Sequence, residues 1–317
     1  MSKSSWLWLG ILSVAWAPIC HAEPIAFVTN QGADTLSVID LGARRVVNTI
    51  ELGKDPAGVA VAKDLQRVFI TNPGSEDIWV IGTENHEVQA KIKQAGGPLA
   101  VAYDESRERF YVASWYADVV LAYDAKTLAQ LFKLPTGRVP AGLAVSPDHS
   151  KLVVTNRDDS SLSIYDLRTR LLITTVATGR APFGVSISAD GRYALTANVQ
   201  SNDVSVIDLE RGEVEARITV RESPYAIAQD TKRNRYYVTN QHDSTVSIVS
   251  GGDWQLKADI EVGDYPEGIA YSAVLDEVFV ANWFSNTLSI LSANQMTETG
   301  TIDTGDGSRA YGDFLLH

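Results

Sequence analysis

Cysteine is nearly absent: Cys20 is the only thiol in 317 residues. No disulfide can form within the chain, so stability has to come from packing. Thiol nucleophiles and covalent haem attachment are excluded from the rest of the sequence. Histidine is scarce too. Beyond residues 1–22 the histidines are His86, His149, His242 and His317, far apart with no ligand spacing, which argues against a zinc or copper cluster. Asp-x-Asp carboxylate clusters of the calcium-loop type are missing. No glycine-rich phosphate loop opens a helix, so nucleotide binding has no support. Basic residues are in deficit, with 27 Lys and Arg against 39 Asp and Glu, a formal charge of −12. A surface this acidic repels phosphate backbones and anionic lipid and favours basic partners, so a nucleic-acid partner is not expected.

Long apolar runs are also lacking. The longest, residues 6–17, is shorter than the roughly 18 residues a membrane span requires, and Pro18 ends it. With Lys3 before it and Cys20-His21-Ala22 after it, residues 1–22 read as a secretory signal peptide cut after Ala22. A retained anchor and a lipid on Cys20 are the competing readings; Ile19 is bulky where a lipid-attachment signal wants a small residue. Cleavage removes the only Cys and leaves 26 basic against 39 acidic residues, a charge of −13. A chain without thiols suits an oxidising compartment, so the periplasm or the exterior is expected. Hydrophobic residues at 45% and charged residues at 21% are ordinary for a globular protein with a sizeable core.

What the sequence has is repetition. Stepping by 42 from Asn156 in both directions reads Asn30, Asn72, Ser114, Asn156, Asn198, Asn240 and Asn282, each preceded by Thr or Ala. No insertion or deletion interrupts the ladder over its seven copies. Each copy holds four short runs of strand character, in the first copy 25–29, 36–39, 46–50 and 57–61, separated by turn residues. Four strands at a period of roughly 40–45 residues predict a β-propeller. The fold class is all-β: one domain over residues 23–317, a seven-bladed propeller with four-stranded blades.

The fourth run of each copy is rich in small residues, as in Gly58-Val59-Ala60, Ala100-Val101-Ala102 and Gly142-Leu143-Ala144. Only Gly or Ala permits close backbone approach at the axis, so these runs are expected to be the innermost strands. Pro56, Pro98, Pro140, Pro182, Pro224 and Pro266 precede them and belong at strand entrances, because proline cannot donate to a ladder. Asn30, Asp40 and their equivalents read as structural turn residues. The chain starts on a second strand and ends on an innermost one, 309–316, which is expected to complete the first blade and close the ring.

The motifs FVTN at 27–30, VVTN at 153–156 and YVTN at 237–240, with SVID at 37–40 and 205–208 and P-x-G-V at 56–59 and 182–185, resemble the YVTN family of β-propeller repeats. The resemblance covers residue 25 to the C-terminus. It implies a secreted or periplasmic propeller, related more distantly to quinoprotein amine dehydrogenase subunits and lactonase-type propellers, and no single activity.

Function is expected where the copies disagree, on the face that carries the loops after each second strand and the loops leading into each inner strand. The pairs after the marker include Trp115-Tyr116 and Trp283-Phe284, which either cover the channel mouth or contact a ligand. Arg138, Arg157 and Arg180 gather positive charge around blades four and five, while Glu222, Asp264, Glu267 and Asp306 gather negative charge around blades six to one. The arginines could dock an anionic ligand or acidic partner, or could simply pair across neighbouring loops. His242, Glu267 and Arg309 complete the set of candidate binding residues. No cofactor, metal or catalytic residue is expected.

The leading expectation is a monomeric, non-enzymatic binding or scaffold propeller that takes a protein partner or small ligand on this face. The resemblance adds an accessory role beside a periplasmic quinoprotein alcohol or amine dehydrogenase system. The alternative is a lactonase-like hydrolase using His242, Glu267 and Arg180, or a dehydrogenase subunit.

Overall fold

The computed structural model describes residues 24–317, so the leader and its cleavage lie outside the described residues. Seven four-stranded antiparallel blades form a ring. Blade four is representative: Pro140–Val145 is innermost, followed outward by Lys151–Asn156, Ser161–Asp166 and Leu171–Ala177. The two middle strands of every blade are almost wholly buried, whereas the outer strands alternate with solvent, as Glu213–Thr219 does in blade five. Among the described residues no helix is long and apolar enough to cross a membrane.

The motif residues are structural, as their positions in the turns suggested. Thr155 Oγ1 accepts the Gly142 N–H of its own blade at 2.7 Å and donates to the Phe183 carbonyl of the next blade at 2.7 Å. Thr29, Thr71 and Thr239 repeat this staple. The threonine thus satisfies two buried backbone groups where adjacent inner strands leave their ladders. Asn156 Nδ2 donates to Ser161 and Ser163, and its Oδ1 accepts the N–H of Gly137 in the loop leading into the inner strand.

Close approach at the axis is real. A Cβ on Gly58, Gly142 or Gly184 would lie 2.3 Å from a backbone carbonyl of the next inner strand, so only a shift of backbone could admit one.

The ring closes as expected, with one departure. Ser308 bridges Asn30, Arg309 donates its N–H to the Thr29 carbonyl, and Leu315–Leu316 pairs with Ala26 and Ile25. Between these points the closing segment does not run as one inner strand over 309–316. Ser308 and Leu315 are seven residues apart, where their partners Asn30 and Ala26 are four apart; in blade four the corresponding Pro140 and Val145 are five apart against four. The two surplus residues let Tyr311–Asp313 swing inward and pair in parallel with Gly58–Ala60 of blade two. Gly312 permits this with φ of +124° and a Cβ position 2.4 Å from the Val59 carbonyl.

The swing sends Tyr311 across the channel. Its Oη donates to the Phe183 carbonyl at 3.3 Å, and its ring lies 5.2 Å from Phe183 and 5.6 Å from Tyr225. Tyr311 is buried, and it separates the loop-bearing mouth from a cavity of about 520 Å³ below.

Candidate binding face

One backbone device positions the candidate side chains. The residue before each inner strand's opening proline adopts a left-handed conformation, including the β-branched Val139 (φ 57°) and the aromatic Tyr265 (φ 58°). Its carbonyl then turns toward the neighbouring hairpin. It accepts the N–H of the residue after the marker: Val139 from Arg157, Tyr265 from Trp283, Gly97 from Trp115, Ser223 from Gln241, Gly307 from Gln31. The next residue is pinned the same way, Tyr116 to Gly96 and Phe284 to Asp264. Side chains may vary on this frame because backbone atoms alone hold it.

Within each aromatic pair the two residues do different things. Trp115 is partly buried, and its ring reaches over the small Ala141 of blade four to lie 5.8 Å from Phe183 of blade five. Trp283 is also folded in, while Tyr116 and Phe284 project outward at 78% and 63% exposure. Phe284, Trp283, Tyr265 and His242 form one continuous aromatic strip with centroid steps of 4.7, 5.8 and 5.7 Å. The first residue of each pair therefore closes the mouth and the second faces solvent.

The three arginines are not a free cationic patch. Arg138 pairs with Asp159 and Arg157 with Asp158, each at 2.6 Å, and the Arg157 guanidinium also stands over the Trp115 ring. Arg180 donates to the Gln200 carbonyl at 2.7 Å and alone of the three has no carboxylate partner among the described residues. Arg138 pairs across to a neighbouring loop and Arg157 with the residue beside it in its own loop, so both guanidiniums already hold a carboxylate.

The lactonase-like set is not assembled. His242 Nδ1 lies 3.1 Å from Ser223 Oγ and 3.6 Å from Glu222 Oε1. A relay requires the base to use one ring nitrogen for the nucleophile and the other for the orienting carboxylate, and here both neighbours stand at Nδ1. Glu267 is engaged elsewhere, and Arg180 stays on its own loop in blade five.

The chemistry at the mouth is concentrated on blades six, seven and one. Glu267, 5% exposed, and Arg309 face each other, with Nε 3.0 Å from Oε2. Gln241 Nε2 donates to Glu267 Oε1 at 2.9 Å, Arg309 donates to Gln31 Oε1 at 3.1 Å and to Tyr225 Oη at 2.5 Å. Burial pushes the Glu267 carboxyl up against the opposing pull of Arg309. Burial likewise works against the Arg309 charge, but Glu267 and Tyr225 outweigh it and hold the guanidinium more firmly protonated. Arg309 Nε and Glu267 Oε2 meet as a buried ion pair. Trp283 Nε1, 2.8 Å from a Cβ position at Gly307, is a buried donor without a hydrogen-bond partner among the described residues.

Reading the interblade loops as surface charge placed Glu267 in an acidic arc and missed Tyr225, Gln31 and Gln241. The signal was in the ladder. The position after each repeating proline reads Ala57, Leu99, Ala141, Phe183, Tyr225, Glu267 and Arg309, where two adjacent copies put opposite charges into an otherwise apolar series.

Solved structures share the architecture at low identity. A functionally unknown protein from Desulfotomaculum acetoxidans superposes with a TM-score of 0.78 at 15% identity, over 91% of this chain and 99% of that one. Kuenenia stuttgartiensis hydrazine synthase gives 0.76 at 19%, over 84% and 91%. Dihydro-heme d1 dehydrogenase NirN, solved in complex with DHE, gives 0.67 at 14%, over 88% of this chain and 63% of that one. These likenesses carry the fold alone. No curated protein matches the sequence. Residues 12–224, two thirds of the chain, match the family described as YNCE-like beta-propeller; with the seven blades in place, the chain belongs to that family.

Proposed function

We propose that the protein is a secreted or periplasmic binding propeller, non-enzymatic itself, whose mouth at blades six, seven and one receives a small polar group carried by a free ligand or by a protein partner. One observation carries the reading: at the end of the channel the buried Glu267–Arg309 ion pair, 3.0 Å apart, stands with Trp283 Nε1, a buried donor without a hydrogen-bond partner among the described residues. A buried donor left unmatched costs stability and calls for an acceptor from a guest. A guest that accepts from Trp283 and meets the charged pair fits a zwitterion or an amide. The strip from His242 to Phe284 supplies adjoining stacking area. An accessory role beside a quinoprotein dehydrogenase is the biological setting we favour, on family resemblance.

The test is a thermal-shift screen of amino acids and small amides, with a pull-down from periplasmic extract in parallel. Trp283→Phe keeps the ring and removes the donor, and Glu267→Gln keeps the shape and removes the charge; each is expected to weaken binding about tenfold or more, while Tyr116→Ala leaves it unchanged. Hits that bind both variants like the parent would overturn the reading, as would turnover that His242→Ala abolishes.

A further inference from the structure

The lower half of the channel is chemically unlike the mouth. Its cavity of about 520 Å³ lies within the range of about 300–1,000 Å³ usual for small-molecule sites. The lining comprises Val, Leu, Ile, Ala and Gly residues of the inner strands, the polar Ser186, Gln229 and His317, and Tyr103, Tyr271 and Tyr311. Asp313 brings the one carboxylate side chain, carried inward by the same swing that places Tyr311.

Asp313 has no cationic partner among the described residues. Solvent reaches it from the channel, yet protein surrounds it, and burial holds its carboxyl up at about 6. The groups facing it through the adjoining recess of about 300 Å³ are Lys63, Asp64, Tyr103, Glu105, His149 and His317. Tyr103 is committed to Asp64, its Oη donating at 2.8 Å. His149 lies 2.9 Å from Asp104. Burial, and after it Lys63, depresses His317 toward the neutral form. Two further carboxylates against one lysine leave the local field negative, in keeping with the acidic chain as a whole.

We propose that this lower chamber binds a small organic cation, a primary amine or quaternary ammonium, with the Asp313 carboxylate as counter-ion and Tyr103, Tyr271 and Tyr311 as aromatic neighbours in its lining. A carboxylate without a cationic partner at the edge of a cavity attracts a cation, and aromatic neighbours favour a weakly hydrated one. The chamber lies beyond Tyr311 from the mouth, so the proposal does not rest on the reading given for the upper face.

The probe is choline, compared by calorimetry with its neutral isostere 3,3-dimethylbutan-1-ol on the full chain at pH 7.5 and 150 mM salt. Choline is expected to bind saturably and at least tenfold more tightly than the isostere. Asp313→Asn is expected to bring choline down to the isostere's level, and Trp283→Phe to leave it unchanged. Because Asp313 lies in the closing segment, Gln229→Lys serves as a second variant: it sets an ammonium in the chamber wall and is expected to lose choline in the same way. No saturable choline binding, equal binding of the two probes, or undiminished binding in either folded chamber variant would overturn the proposal.

Discussion

At the channel mouth the ladder reads Ala57, Leu99, Ala141, Phe183, Tyr225, Glu267 and Arg309; one residue further along it reads Gly58, Ala100, Gly142, Gly184, Ala226, Gly268 and Ala310. The two belts differ by a single step of chain, yet one holds charge, aromatic and methyl while the other is uniformly small. Packing explains the contrast. At the lower belt each inner strand meets the next blade's backbone, and a Cβ on Gly268 would lie 2.1 Å from the Ala310 carbonyl. At the mouth, side chains meet only one another, so a large residue on one blade can be answered by a small one on another, as Trp115 is by Ala141. Repetition is enforced where backbones touch and relaxed where they do not.

Removing the segment that joins both belts into a ring should have the largest effect. Deleting residues 308–317 takes the inner strand from blade one and the backbone partners of Thr29 and Phe27, so the sharp unfolding transition should disappear from calorimetry. A truncated protein that melts like the parent would contradict closure.

The belts themselves are compared by one substitution in each. Gly142→Val drives a branched side chain against the Phe183 carbonyl at 2.3 Å and Tyr311 Oη at 2.8 Å, and should cost about 3 kcal/mol or more in urea unfolding. Phe183→Leu at the mouth, only one blade away, should cost about 1–1.5 kcal/mol. Equal losses would erase the distinction drawn between the belts.

The smallest expected effect sharpens the contrast between mouth and chamber. Surrounding protein pushes the Asp313 carboxyl up to about 6 from its ordinary 3.8, so between those limits the folded form holds more protons than the unfolded one. Stability should therefore fall as pH rises from about 4 to about 6 and then level off at its lower value. Asp313→Asn should flatten that slope in a pH series of melting temperatures, and an unchanged slope would place its origin elsewhere.

Much of this is legible in the sequence. The period, the small inner strands, the proline entrances and the closing role of the tail all follow from rules that act within one repeat or between identical repeats. The aromatic pairs read as covering the channel mouth or contacting a ligand; that the first ring folds in while the second projects was not legible, because it depends on how far a ring reaches across neighbouring blades. The charge map was legible as a list and misleading as a patch. Arg138 meets Asp159, 21 residues on, because the two hairpins of adjacent strands come together there, a geometry that no count along the chain displays. The Tyr311 crossing was hidden as well. Its ladder position holds Val59, Val101, Leu143, Val185, Ile227 and Ile269 in the other copies, so a tyrosine there marked a departure, but the two surplus residues that turn it inward show only in the pairing.

Tyr311 and Asp313 belong to the same short segment that completes blade one, so the ring crossing the channel and the carboxylate beside the lower cavity are both put in place by the strand that seals the circle. A change that loosens that closure is therefore felt at the axis as well as at the rim.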